Sequence, residues 1–121
     1  PKRIFLYAGD NDVAAGKNAK TVLEDFKRFI HTVHKALPKT KIFFIAIKPS
    51  LKRWSMAGEM TEANLQVKKL AETSPLLGYV DVWTPMLNDK GEPKPEVFIA
   101  DGLHMNRAGY DIWTTAVRPF L

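Results

Sequence analysis

The chain contains no cysteine, which excludes disulfides and thiolate metal sites. It also lacks a long hydrophobic run. None of its apolar stretches approaches the roughly 20 residues needed to cross a membrane as a helix, and no signal-peptide pattern is present. Acidic residues are outnumbered: 18 Lys and Arg against 13 Asp and Glu give a formal net charge of +5 and a sequence pI of about 9.5. Such a balance raises nucleic-acid binding as a function class. The cations, however, are scattered from Lys2 to Arg118 without one long basic run, and the aromatics fall mostly on apolar faces. Nucleic acid is therefore not an expected partner, although a basic rim would favour anionic substrates or surfaces. Internal repeats, low-complexity tracts and interdomain linkers are absent as well. The 121 residues are expected to form a single domain, residues 1–121, which at that size buries on the order of two thirds of the unfolded surface.

What is present is an alternation of apolar runs and helical periodicity. Ile4-Phe5-Leu6-Tyr7 gives a first strand expected over Arg3–Ala8, its continuous apolar character pointing to burial on both faces. After a loop at 13–17, Val22, Phe26, Phe29, Ile30, Val33 and Leu37 recur at helical spacing. Asn18 can cap that helix and Pro38 stops it. Ile42-Phe43-Phe44-Ile45 marks a second strand expected over 41–47. Strand, helix, strand in this order implies a right-handed crossover and parallel pairing. A helix from Met56 to about Thr73 carries an apolar stripe of Met56, Met60, Ala63, Val67, Leu70 and Ala71. The third strand is expected over 77–82. Asn88-Asp89-Lys90-Gly91 reads as a turn rather than a calcium loop, having too few carboxylates. The last helix, 107–117, is expected to turn Tyr110, Trp113 and Val117 inward. The architecture is thus α/β, a parallel sheet of about three strands with about three flanking helices.

Two stretches carry chemistry. In Asp101-Gly102-Leu103-His104 an acid and an imidazole lie three residues apart, ahead of a helix that Asn106 can cap. A turn there lets Asp101 hold one ring nitrogen of His104 and leaves the other free to accept a proton from a hydroxyl nucleophile. The competing reading is a hydrogen-bonded surface turn. Gly9-Asp10-Asn11-Asp12, expected as a turn at the carboxyl end of the first strand, places the Asn11 amide where α/β proteins bind ligands; alternatively it is a local Asx turn. Ser50, on the same rim, is either a candidate nucleophile or a turn hydroxyl. Trp54 either covers the core or walls a pocket. His31 and His34 lie three apart on the first long helix, but without a visible third ligand they read as surface residues, and no metal is expected.

Tyr7-Ala8-Gly9-Asp10-Asn11-Asp12, Lys48-Pro49-Ser50 and Asp101-Gly102-Leu103-His104-Met105-Asn106 together resemble the SGNH hydrolases, also called GDSL-type esterases and lipases. Gly9–Asp12 is similar to that family's third block and Asp101–His104 to its fifth. The resemblance covers essentially the whole chain and implies a flavodoxin-like, three-layer α/β/α fold and a serine esterase. It implies His104 as general base, Asp101 as its orienting acid and Asn11 as an oxyanion-hole donor, with Gly9, Ser50 and Trp54 near the substrate pocket. No cofactor is implied, and the partner is a small-molecule ester, with short acyl esters and acetylated sugars as candidates.

The family's Gly-Asp-Ser block, with the nucleophile, and its oxyanion-hole glycine block have no counterpart here. The resemblance places them upstream of Pro1. The chain is accordingly expected to be the C-terminal part of such a domain, inactive by itself. In the family's sheet the strand matching Arg3–Ala8 is central, so its open edge is expected to be covered, by an N-terminal fragment of the same protein or by a second copy in a homodimer. The alternative from another class is a noncatalytic α/β binding module that kept the shell and lost the nucleophile.

Overall fold

The computed structural model describes residues 1–121 as one parallel sheet with helices on both sides. Strand β1 is Arg3–Tyr7, β2 is Lys41–Ile45 and β3 is Leu77–Val80. They lie in the order β1-β2-β3. Both pairings are parallel, with Tyr7 opposite Ile45 and Ile45 opposite Val80. The helices are α1 (Asp10–Ala14), α2 (Ala19–Ala36), α3 (Ala57–Ala71) and α4 (Arg107–Val117).

The strand alternation sorts the core into two layers, because successive side chains leave a strand on opposite faces. Leu6, Ile42 and Phe44 face α2 and α3, meeting Val22, Phe26, Met60, Ala63 and Val67. The rings of Phe26 and Phe44 cross edge-on at 5.0 Å. On the other face, Phe5, Tyr7, Phe43 and Ile45 meet Trp113, Ala116 and Val117 of α4, with Phe5 stacked on Phe43 at 4.8 Å. Burying an aliphatic or aromatic side chain of this kind stabilises the fold by about 1.5–3 kcal/mol, so the β2 strand, apolar on both faces, is the centre of gravity of the packing.

The helix ends follow from local chemistry. Asn18 accepts from the Thr21 amide at 2.9 Å and starts α2; Pro38 cannot continue the ladder and α2 ends just before it. Helix α2 has its apolar residues on one side, but Leu37, expected in the core, is the cap residue and stands 37% exposed.

Several expectations are corrected. Gly9–Asp12 is not a plain turn followed by a loop: Asp10–Ala14 is a short helix. Gly9 sits at φ 106°, a conformation that redirects the chain out of β1, and a Cβ there would come within 2.9 Å of Ile47. Val13, 5% exposed, anchors this helix in the core. Strand β1 packs on both faces, through Leu6 on one and Phe5 and Tyr7 on the other, yet is only half-buried, since it is the outer strand and pairs only with β2. The ladders also end earlier than the apolar runs. Ile47 and Val82 are fully buried but unpaired in the sheet; the backbone of Ile47 is instead satisfied by Asn64, whose amide accepts from its N–H at 2.8 Å and donates to its carbonyl at 3.0 Å. No helix is long and apolar enough to cross a membrane.

Candidate active site

The carboxyl ends of β1 and β2 and the turn before α4 converge on a cleft of about 250 Å³. His104, Asn11 and Tyr110 line it, together with Lys48, Arg53 and Trp113. The turn is closed by backbone bonds: Ile99 donates to the His104 carbonyl at 2.9 Å, Gly102 donates to Ile99 at 3.0 Å, and Asn106 donates to Val97 at 3.0 Å. Gly102 adopts φ 66° at its tip, and Lys52, in the loop after β2, donates to the Gly102 carbonyl at 3.0 Å.

Inside that turn both carboxylate oxygens of Asp101 are engaged. One oxygen, Oδ1, accepts from the backbone amides of Leu103 and His104, each at 2.9 Å. The other, Oδ2, is 2.5 Å from Nδ1 of His104. The hydrogen bond from the His104 ring, followed by those two amides, holds the Asp101 carboxyl well below the usual carboxylate range. An ionised carboxylate only accepts, so Nδ1 carries the proton of this bond and Nε2 is the ring nitrogen that Asp101 does not engage. The imidazole is 69% exposed. Asn106 fixes the base of the turn, accepting from Gly109 at 3.2 Å and donating to the Glu96 carbonyl at 2.8 Å.

Across the cleft lies a cluster that the sequence reading did not assemble. The Asp10 carboxylate receives the Tyr7 hydroxyl at 3.0 Å, the Lys48 ammonium at 2.8 Å and the Arg53 guanidinium at 2.8 Å. Burial works against the charge on Asp10, but the hydrogen bonds from Lys48 and Arg53 outweigh it and keep the carboxyl below its ordinary range. The Tyr7 hydroxyl is pushed up, first by burial and then by the adjacent Asp10 charge. A signal for this cluster existed. The β1–β2 register pairs residues 38 apart, and Asp10 and Lys48 are separated by the same 38, so the register carried past the strand ends lays the two side by side.

Arg53 also donates to Oδ1 of Asn11 at 2.9 Å. The bond turns the Asn11 oxygen toward the cation, and Asn11 lines the cleft with its Nδ2 donors not used by that bond.

The remaining expected site residues are not brought to the cleft. Ser50 is 1% exposed and its hydroxyl accepts from the Arg53 amide at 3.2 Å. Gly9 lines a separate apolar groove with Leu6, Val22, Phe26 and Phe29. Trp54 stacks against Trp83 at 5.8 Å. Tyr110, expected inward, is 54% exposed and lines the cleft instead, while Trp113 packs its ring edge-on against Tyr7 at 4.8 Å. His34 donates from Nε2 to the Thr40 carbonyl at 2.8 Å.

An imidazole held by a carboxylate and an amide held by a guanidinium thus meet at the carboxyl edge of a parallel sheet, where α/β proteins bind their ligands. The chain belongs to the GDSL-like lipase/acylhydrolase family, whose model matches residues 1–112. Solved structures agree in fold. One is a protein from Streptococcus pneumonia provisionally described as a platelet activating factor, with TM-score 0.87, 23% identity, and coverage of 98% of this chain and 59% of that one. A GDSL-like lipase from Bacteroides thetaiotaomicron gives TM-score 0.82 and 19% identity, covering 99% and 62%. A carbohydrate esterase of family 3 from Talaromyces cellulolyticus gives TM-score 0.82 and 19% identity, covering 99% and 56%. The chain thus spans about three fifths of the length of the structures it matches. No curated protein matches it by sequence.

Proposed function

We propose that this chain supplies the base, the orienting acid and one oxyanion donor of a serine carboxylic-ester hydrolase, and that the nucleophilic serine comes from a segment outside these residues. The observation that carries the reading is the His104–Asp101 bond at 2.5 Å, opening onto the same cleft as the Asn11 amide.

In this mechanism Nε2 of His104 takes the proton of the serine hydroxyl as its oxygen attacks the ester carbonyl. Asp101 holds the tautomer and offsets the charge of the imidazolium that forms. The carbonyl oxygen becomes the oxyanion, to which Asn11 Nδ2 donates; loss of one such donor typically costs about 3–4 kcal/mol of transition-state stabilisation. Collapse breaks the bond to the alkoxy group, which leaves as the alcohol with the proton from His104. Water, deprotonated by the same imidazole, then releases the acid and restores the serine. The reaction needs no cofactor. An acetylated sugar is one candidate ester, in keeping with the carbohydrate esterase among the structural neighbours.

The three serines of this chain, Ser50, Ser55 and Ser74, do not line the cleft, so the chain alone is expected to be inactive. Its residues 1–121 are proposed to be one folding unit within a larger hydrolase domain. The outer edge of β1, unpaired and half-buried, is the expected seat of the complementing segment or of a second copy.

A fluorophosphonate probe followed by intact mass tests the reading. Labelling of a serine outside the 13.7 kDa chain, lost in His104→Ala, is the expected result. Labelling of Ser50, Ser55 or Ser74 would overturn the assignment.

A further inference from the structure

We infer that Arg53 is a positioning residue for the oxyanion donor: its guanidinium, clamped by Asp10, holds the Asn11 amide with Nδ2 facing the reacting carbonyl. The inference rests on the hydrolase reading above and assigns a role that this reading does not require.

A free asparagine amide at a cleft wall turns over easily, and its two ends differ in kind, since the oxygen accepts and the nitrogen donates. An oxygen facing a developing oxyanion repels it. Arginine only donates, so a bond from Nη1 of Arg53 to Oδ1 of Asn11, at 2.9 Å, selects one of the two orientations. The clamp works only if the guanidinium itself cannot swing. Here the same nitrogen donates to Oδ1 of Asp10 at 2.8 Å, and Asp10 is fixed in turn by Lys48 and Tyr7. The Arg53 backbone is held by the Ser50 hydroxyl at 3.2 Å. Its neighbour Lys52 donates to Gly102 at 3.0 Å, within the Asp101–His104 turn. Arg53 therefore stands on a loop fastened to the base side of the cleft while its side chain grips the oxyanion side. A preorganised donor costs no reorientation when charge develops, which is where such donors gain their effect.

The competing account is that Arg53 only balances the charge of Asp10. A double-mutant cycle in the serine-containing protein separates the two. Arg53→Gln is expected to lower kcat about tenfold with KM nearly unchanged, because the oxyanion exists only in the transition state. Asn11→Ala is expected to lower kcat by about 10²–10³. In the Asn11→Ala background, Arg53→Gln should cause no further fall. Independent, multiplying losses would overturn the inference, as would a rise in KM at constant kcat. Arg53→Lys keeps a cation for Asp10 while losing the guanidinium's reach to Asn11, so it covers the case in which Arg53→Gln does not fold. It is expected to retain thermal stability yet show a kcat deficit; full kcat with lysine would sink the clamp. His104→Ala serves as the control for the parent reading: if that variant stays active, the hydrolase assignment fails, whatever Arg53 does.

Discussion

The cleft is built from two carboxylate-centred assemblies that share a chemistry and differ in almost everything else. On one wall Asp101 meets an imidazole across three residues of chain, with side chains 36% and 69% exposed. On the other, Asp10 meets Lys48 and Arg53 across 38 and 43 residues, with side chains 9%, 9% and 16% exposed. An exposed pair adds little to folding, because solvent screens it and ordering the side chains costs entropy. A buried charge left without its partner is expensive. The first assembly can therefore change protonation at little structural cost, and the second cannot. Under the proposed hydrolase reading the two divide the labour of the site: protons move at the exposed wall, and the buried wall holds the Asn11 amide in place.

The sharpest way to break this comparison is to remove one member from each wall. His104→Ala in the serine-containing protein is expected to reduce ester hydrolysis by about 10²–10⁴-fold while leaving the urea midpoint of unfolding unchanged. A variant that unfolds would move the exposed pair into the scaffold. Asp10→Asn should do the reverse, destabilising the chain by about 3–5 kcal/mol in urea unfolding at neutral pH, since Lys48 and Arg53 are left buried without a counter-charge. The two walls should also differ in acid. The folded-state pKa of Asp10 lies below its ordinary value, so its stabilisation is present above the unfolded value of about 3.9 and is lost as the pH falls through the folded one. Urea midpoints taken from pH 7 down to pH 2 should drop below about pH 4, and Asp10→Asn should flatten that limb. Asp101 is also held low, but at an exposed site, and Asp101→Asn should leave most of the acid limb in place.

The same contrast explains what the sequence disclosed. Asp101 and His104 are close along the chain, and a cap at Asn106 fixes their turn, so the pair could be read locally. Apolar runs at 42–45 and at 4–7, separated by a helix with a clear 3.6 period, dictated parallel strands. The Asp10 cluster depends on register across strands, which no local pattern states. A five-residue helix such as α1 has no period to detect and owes its existence to the burial of Val13 and the turn at Gly9. Tyr110 was misread for a different reason: it shares an apolar character with Trp113, yet a helix beside an open cleft can turn an aromatic ring toward that opening. Trp54 likewise found its partner, Trp83, through tertiary contact.

A smaller effect would sharpen the comparison further. Asn106 joins the exposed wall to the rigid part of the molecule, accepting from the α4 amide of Gly109 and donating to the carbonyl of Glu96. Asn106→Ala removes a helix cap, a change that typically costs about 1 kcal/mol, and leaves α4 packed through Trp113 and Val117. The fold should survive with a slightly lower urea midpoint. Its local consequence should exceed its global one, because the Asp101–His104 turn loses its side-chain tie to Glu96 and α4 and keeps only backbone bonds and the buried Leu103 and Met105 side chains to hold it. In native-state hydrogen exchange, the amides of Leu103 and His104, which donate to Asp101 at 2.9 Å, should lose protection more than the amides of β2. Uniform loss across both would mean that the turn is no softer than the core and that the exposed wall is scaffold after all.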